Sequence, residues 1–554
     1  MGDADCGKGV LIMYIDFLLI AIPLLPLILA LLMPLLRSGH IMILAPLTAL
    51  LAAYLIPVNS SVNLPWLLTG VNWQLDSISQ IFLLFSALIW LVTSLYVVFA
   101  RDDQTNRVIY RCLFMLAMSG NMLLIIAADM TSFYLGFAMM GLSAYGIILK
   151  PSQRARRAAR VYLGFTLVGE LALFIAMLIL FSSTGSMLFI DIEQQTIPDL
   201  AVALLLLGFG IKLALPGLHF WLPLTYTAAP LISVAVLSGP MMNAGLLGWI
   251  RFLPPGAENL QTWGGVLIWL GVAGLVLGSI LALMQYRASA ILAYSSIAKM
   301  GLLSSFFGYA LAHPEQADIV IGAVVLFAMH HLLVKSALFI GLNDYQQRYG
   351  DSWVYYGLVV LSLSLIGLPF SGGSGAKSAL DLATEGDLGL LLILSGFATA
   401  LMMMHFLRTL NKQASKSTLT PGHTSFRLSP NLAWWLLLPL AWFGPFMPGS
   451  IEFEGKSLLV TGSALVLFFY MIRQNWRKPS RHASIFQPGD IYYLFNRVRL
   501  LNPVQIKPGI NILDQPGWPQ ARTTKVSSNL SLSMPGLLWF AVLALLMISI
   551  LMPS

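Results

Sequence analysis

The sequence predicts an all-α polytopic membrane protein. Of its 554 residues, 58% are hydrophobic and only 10% are charged, where a soluble fold carries roughly 25% charged residues. The mean hydropathy is +0.81. The apolar residues also gather in runs close to the ~20 residues that a helix needs to cross a bilayer. This composition excludes a water-solvated fold, a disordered chain and a collagen-like one. With Cys6 and Cys112 as its two cysteines, the chain is no disulfide scaffold and offers no zinc or haem spacing. Neither a metal nor a cofactor is expected.

The net charge of +8 could point to nucleic acid, but its distribution argues for a lipid bilayer instead. Arg and Lys concentrate in a few short loops and one C-terminal segment, as the positive-inside rule describes.

In chain order, apolar runs lie at 13–36, 41–58, 77–100, 110–128, 130–149, 161–182 and 199–217. Further runs follow at 230–253, 262–285, 291–312, 319–343, 354–383, 388–409, 431–449, 456–473 and 534–552. That makes about sixteen helices: about 14 in a core and about two more towards the C-terminus, with a polar arm between them. The first run lacks a small-residue cleavage site and is followed by Arg37, so it reads as a span and not a cleaved signal. Polar MGDADCGKGVLI precedes it, which makes Met13 a second candidate start. Residues 59–76 alternate and contain Pro and Gly, the signature of a short external hairpin.

Loops after odd-numbered runs hold Arg37; Arg101 and Arg107; Lys150, Arg154, Arg156, Arg157 and Arg160; Arg287; Arg348; and Lys412, Lys416 and Arg427. Loops after even-numbered runs hold almost none, Arg251 and Lys456 being the exceptions. The odd loops are therefore expected in the cytoplasm and both termini outside. Residues 474–533 are polar and basic, and six prolines prevent one long helix. Within them 489–502 could lie as an amphipathic helix on the membrane or on a partner chain. A solvated basic loop is the other reading.

Ionisable residues inside spans are costly and therefore mark candidate sites. Lys212, Lys299, Lys335 and Lys377 qualify, with His219, His330, His331, Asp76 and Glu170. An amine held in apolar surroundings gives up its proton more readily than one in water, so a row of such groups bridged by water can pass protons. Lys212 lies four residues before Pro216, and Lys377 follows Pro369 and a run of Gly and Ser. Broken helices at corresponding places in two halves, 110–253 and 262–409, point to inverted repeats with ion sites at the breaks. The stretch GSGAKS lacks the glycines of a phosphate loop at Ala376 and Ser371, which excludes nucleotide binding. Against these readings, any of the lysines could merely snorkel or sit in a satisfied polar pocket. Lys299 and Lys335 are the stronger cases for that, being nearer to expected helix ends. His330 and His331 point about 100° apart on a helix, so one is expected to face the polar axis and the other to pack. Glu170 could lie on the path or pair with the basic loop before it, and Asp76 is expected to cap or pair.

Several motifs resemble one family. KLALPGLHFWLP (212–223) with AAPLISVAVLSG (228–239), ILAYSSIAKMG (291–301), HLLVKSALFIG (331–341), GLPFSGGSGAK (367–377) and LDSISQIF (75–82) follow in order. They are similar to segments of the antiporter-like membrane subunits found in respiratory complex I, membrane-bound hydrogenases, formate hydrogenlyases and Mrp-type sodium/proton antiporters. The resemblance covers about 75–410. It implies two inverted-repeat half-channels at 110–253 and 262–409, with helices 7 and 12 broken. Helices 1–3 lie before them (1–109), and peripheral helices (410–473), a cytoplasmic arm (474–533) and a last span (534–554) after them. It also implies that Lys212 and His219 serve the first half-channel, that Lys335 and His331 serve the second, and that Lys299 joins the two. Lys377 would open to the outer face. The family's fifth helix usually carries a tryptophan–glutamate pair, where this chain has Phe137 and Ala138. The eighth-helix position that often holds Lys or His is Asn243 or Leu237. Glu170 aligns with an acid found in some subfamilies and could replace the lost carboxylate. Otherwise a partner supplies one, or the first half-channel is altered.

The leading functional expectation is a proton- or Na+-translocating subunit of a multisubunit complex in a bacterial inner membrane, energised by a redox module. The alternatives are a subunit of an Mrp-type antiporter, the membrane subunit of an inorganic-carbon uptake system with a soluble zinc partner, and a non-conducting scaffold. No catalytic centre is expected in the chain itself.

Overall fold

Lipid offers no partner for a backbone N–H or C=O, so each apolar run must close its own hydrogen bonds as a helix. The computed structural model describes residues 2–36, 39–67, 70–99, 108–193, 195–347, 351–414, 428–443 and 451–473. The basic arm, the final span, and Arg37, Arg101, Arg107, Arg348, Lys416 and Arg427 lie outside the described residues. Among those described, ten helices are long and apolar enough to cross a membrane, and shorter apolar helices accompany them.

The chain opens with α1 (Gly2–Leu36) and α2 (Leu44–Leu55), followed by a hairpin of β1 (Ser60–Leu64) and β2 (Val71–Leu75) and then α3 (Ser77–Phe99). The hairpin is the one that alternation predicts. Val62, Leu64, Val71, Trp73 and Leu75 face inward, and the strands pair antiparallel from Ser60↔Leu75 to Leu64↔Val71. Its inner anchor is Asp129, whose carboxylate accepts from the Asn72 backbone N–H (2.9 Å), the Ser132 N–H (2.7 Å) and the Ser132 hydroxyl (2.8 Å). One buried side chain thus ties the hairpin to the start of the fifth helix.

Two sets of five helical units follow. The first is α4 (Val108–Ile126), α5 (Met130–Ile148), α6 (Gln153–Thr184), the pair α8 (Asp199–Leu213) and α9 (Trp221–Ala228), and the pair α10 (Leu231–Ser238) and α11 (Pro240–Phe252), with a single turn α7 (Phe189–Ile192) before α8. The second is α12 (Glu258–Leu283), α13 (Ala288–Ala312), α14 (Ala317–Gln347), the pair α15 (Ser352–Ile366) and α16 (Gly372–Ala383), and α17 (Gly389–Ala414). Then come α18 (Leu428–Phe443) and α19 (Ile451–Arg473).

In both sets the fourth unit is broken, and both breaks close alike. Ala214 and Gly367 take left-handed backbone, at φ 56° and 82°. The amide of each bonds back to Ile211 (3.1 Å) or Ser364 (3.0 Å), and the next amide reaches Gly210 (3.0 Å) or Leu363 (3.1 Å). This paired closure satisfies carbonyls that the interruption would orphan.

Three expectations need correction. The run at 230–253 is interrupted, because Pro240 brings no N–H to the ladder and Gly239 sits against Ser336 and Leu332 of α14. α6 begins at Gln153 and not near 161, capped by the Ser152 hydroxyl on the Ala155 N–H (3.1 Å), so the basic segment forms its first turns. α13 and α14 extend beyond their apolar runs, which puts Lys299 and Lys335 in mid-helix and not near an end.

Candidate functional site

Lys212 lies on the last turn of α8, two residues before the left-handed Ala214. Its ammonium donates to the Tyr162 hydroxyl at 3.2 Å and stands 5.6 Å from the centre of the Phe137 ring. Phe137 thus offers a π face to the lysine from the fifth helix, next to Ala138. Tyr162, Thr166 and Glu170 follow at four-residue spacing and share one face of α6. Glu170 is 2% exposed, and its Oε1 has no hydrogen-bond partner among the described residues.

The carboxylate points at α5. A Cβ on Gly141 would stand 2.7 Å from Glu170 Oε1, so glycine makes the room that the carboxylate fills. The Tyr162 hydroxyl donates to the Gly141 carbonyl at 3.1 Å. Lys212 and Glu170 interact electrostatically without an ion-pair contact. His219 lies in the break itself, buried, with its ring on Phe220 at 4.4 Å. Asn243 donates to the Gly239 carbonyl (2.9 Å), and its buried Oδ1 has no partner among the described residues.

The other three lysines gather in the second set. Lys335 donates to the Leu292 carbonyl (2.9 Å) and to the Ser295 hydroxyl. Lys299 donates to the Ser395 hydroxyl (3.1 Å) and lies 5.6 Å from the centre of the Phe327 ring. Lys377, on α16, reaches back across the break to the Ile366 carbonyl at the end of α15. A Cβ on Gly396 would lie 3.3 Å from its ammonium, so α17 touches Lys299 through Ser395 and Lys377 through the next residue. None of the four lysines forms an ion pair among the described residues.

The two histidines depart from the expectation that only one would face the lysines. His330 bonds Ser364 at 2.9 Å and interacts with Lys299 and Lys377, while His331 interacts with Lys335 and Lys299. With lysines arriving from three helices, adjacent positions on α14 each find one. Both His331 nitrogens are buried and lack a hydrogen-bond partner among the described residues.

Asp76 stands apart from the lysines. It caps α3 by accepting from the Ser79 N–H (2.7 Å) and pairs with Arg251 at 2.6 Å. Burial would raise its carboxyl, but the Arg251 guanidinium and the Ser79 bonds outweigh that and hold it below the usual carboxylate range. The pair also accounts for Arg251, an exception in the loop-charge pattern.

Sequence reasoning missed Tyr162, Ser295 and Ser395. The four-residue spacing of Tyr162, Thr166 and Glu170 could have found the first, and the spacing of Ser295 and Lys299 the second. Nothing marked Ser395 in its apolar run.

Residues 127–402 match the transmembrane family described as NADH:quinone oxidoreductase/Mrp antiporter. A Staphylococcus aureus (strain MRSA252) protein named as an antiporter subunit, mnhA2, is 28% identical over 397 residues, or 63% of this chain and 48% of that protein. The chain thus spans about half the length of the curated relatives it matches. Among solved structures, the fold is similar to one in the Mrp complex from Dietzia sp. DQ12-45-1b, with TM-score 0.69, 18% identity, and coverage of 89% of this chain and 60% of that one. It is similar also to a chain of respiratory complex I from Thermus thermophilus, with TM-score 0.66, 20% identity, and coverage of 81% and 99%. Across residues 127–402 the chain belongs to the antiporter-like membrane-subunit family of complex I and Mrp-type complexes.

Proposed function

We propose that the chain translocates protons, or another cation, as one subunit of a multisubunit energy-coupling assembly in a bacterial inner membrane. The observation that carries this reading is the burial of four lysines whose ammonium groups rest on hydroxyls and carbonyls and not on carboxylates. An amine so placed is held by dipoles weak enough to let a proton leave and return. A scaffold would gain nothing from burying four such groups.

In this reading Lys212, Lys299, Lys335 and Lys377, with His219 and His331, form the ion path. Glu170 supplies the counter-charge for Lys212 that the fifth helix lacks at Ala138. Protonated Lys212 is attracted to Glu170, and charge arriving at Lys335 or Lys299 disfavours a further proton nearby. The two centres then load in alternation. In this reading the energy comes from the partner subunits.

Lys212→Ala and Lys377→Ala should each lower ion-driven activity at least about tenfold while the assembly persists. Normal activity in both variants overturns the reading. The loop charges orient the chain with its N-terminus outside. A cysteine tag there should react with an impermeant thiol reagent added to intact spheroplasts, and protection of the tag reverses that orientation.

A second reading, a subunit of an Mrp-type sodium/proton antiporter, is favoured by the likeness to the Staphylococcus protein and to the Mrp complex. Mass spectrometry of the co-purified chains separates the two. Several small membrane subunits without an iron–sulfur protein favour the antiporter, and iron–sulfur chains favour the redox-driven assembly.

A further inference from the structure

Two lysine centres need a connection if one ion path serves both. The helix between them is α9, the second piece of the first broken unit, which packs against α6, α10 and α13. Its side chains form a line. Trp221 lies on the Tyr162 ring with centroids 5.3 Å apart, and Tyr226 lies 6.4 Å from Trp221 and 5.3 Å from Phe339 of α14. Phe339 is one helical turn beyond Lys335, on the same face. Tyr226 therefore stands one ring, Trp221, away from the tyrosine that holds Lys212, and touches on its other side Phe339, the neighbour of Lys335. The Tyr162 and Tyr226 side chains interact electrostatically.

Tyr226 and Thr225 are both fully buried, and neither hydroxyl has a hydrogen-bond partner among the described residues. A buried hydroxyl left unpartnered is costly, and phenylalanine would fill the same aromatic contacts without that cost. A relay group, by contrast, must keep one side open to accept a proton and the other to release one. A phenol locked into fixed bonds cannot do so.

We propose that Tyr226, with Thr225 beside it, is the junction through which protons pass between the Lys212 and Lys335 centres. This rests on the polar-axis reading above. The Lys212 ammonium, held in place by Tyr162, gives up a proton through a bridging water to the Tyr226 oxygen while the hydroxyl proton of Tyr226 leaves on its other side. Tyr226 releases its proton in the same way towards the neutral Lys335 amine. The O–H bond that breaks at Tyr226 is replaced by the one that forms there, the phenol ends neutral, and one proton has moved from Lys212 to Lys335.

The test uses the intact assembly in proteoliposomes, with Na+ on both sides, energised by a valinomycin–K+ diffusion potential and read with an internal pH dye. Tyr226→Phe keeps the ring packing and should slow proton uptake at least about tenfold, with the complex still co-purifying. Tyr226→His restores a proton-carrying group and should regain part of the rate, which a purely structural role for the ring would not produce. Wild-type uptake in Tyr226→Phe with Lys212→Ala inactive overturns the junction and leaves the polar axis standing. A histidine variant no faster than the phenylalanine one also overturns it. Wild-type uptake in Lys212→Ala overturns the axis and the junction together.

Discussion

Glu170 reaches the fifth helix from the sixth, over a glycine. An acid on α6 can serve a lysine on α8 because Gly141 leaves a gap for the carboxylate, and because Tyr162, two turns earlier on the same face, holds the amine. Glu170→Gln keeps the shape and removes the charge, so proton flux should fall at least about tenfold without loss of assembly. Adding Ala138→Glu to that variant returns a carboxylate to the fifth helix and should restore part of the flux. Failure of the double variant alongside a silent Glu170→Gln would rule out the exchange of roles. Asp76 offers a different experiment. Its carboxyl lies below the usual range, so its contribution to stability is complete above that range and disappears as pH falls through the lowered value. Asp76→Asn should cost about 2 kcal/mol at pH 7. In thermal melts of the detergent-solubilised protein, the difference from wild type should fade as pH drops below about 4. A difference that does not diminish at all as pH falls below the usual carboxylate range would show that the Arg251 pair is not its source. Proximity of Asp76 and Arg251 was not readable from the sequence, since 175 positions separate them, whereas the cap on Ser79 was readable from the spacing alone.

At the scale of elements, the two breaks were legible and the third interruption was overlooked. Pro216 and the Gly–Ser run around Pro369 announced the first two, because proline and glycine are where a helix loses bonds and gains freedom. The Gly239–Pro240 pair carried the same signal inside an apolar run and was absorbed into it. The left-handed residue differs between the two main breaks: glycine at 367, alanine at 214. Alanine in that conformation costs about 1 kcal/mol, and its presence at 214 shows that the closure tolerates a Cβ. Gly367→Ala should therefore fold, with a melting temperature lowered by a few degrees. Its Cβ would stand 3.0 Å from the Lys377 ammonium. The variant should thus lose more ion flux than its small stability loss explains, and flux falling only in proportion to folded protein would contradict a role for Lys377 at the break.

For the whole molecule, length and charge were enough to give a polytopic helical fold, and the order of motifs gave the family. What they could not give was convergence. Lys299, Lys335 and Lys377 come from three helices, and only packing of α13, α14, α16 and α17 shows that Ser395 and Gly396 bring two of them to one place. Helix ends were also misjudged, because α13 and α14 continue past their apolar runs, through 288–290 and 344–347, and hydropathy alone does not mark where a helix stops. The central claim is that the buried lysines work by releasing protons and not merely by being positive. Lys212→Arg separates the two, since a guanidinium stays charged throughout the range in which a protein functions. Potential-driven proton uptake by the intact assembly in proteoliposomes should fall to the level of Lys212→Ala in this variant, while the subunits still co-purify. Uptake at the wild-type rate with arginine at 212 would contradict the account.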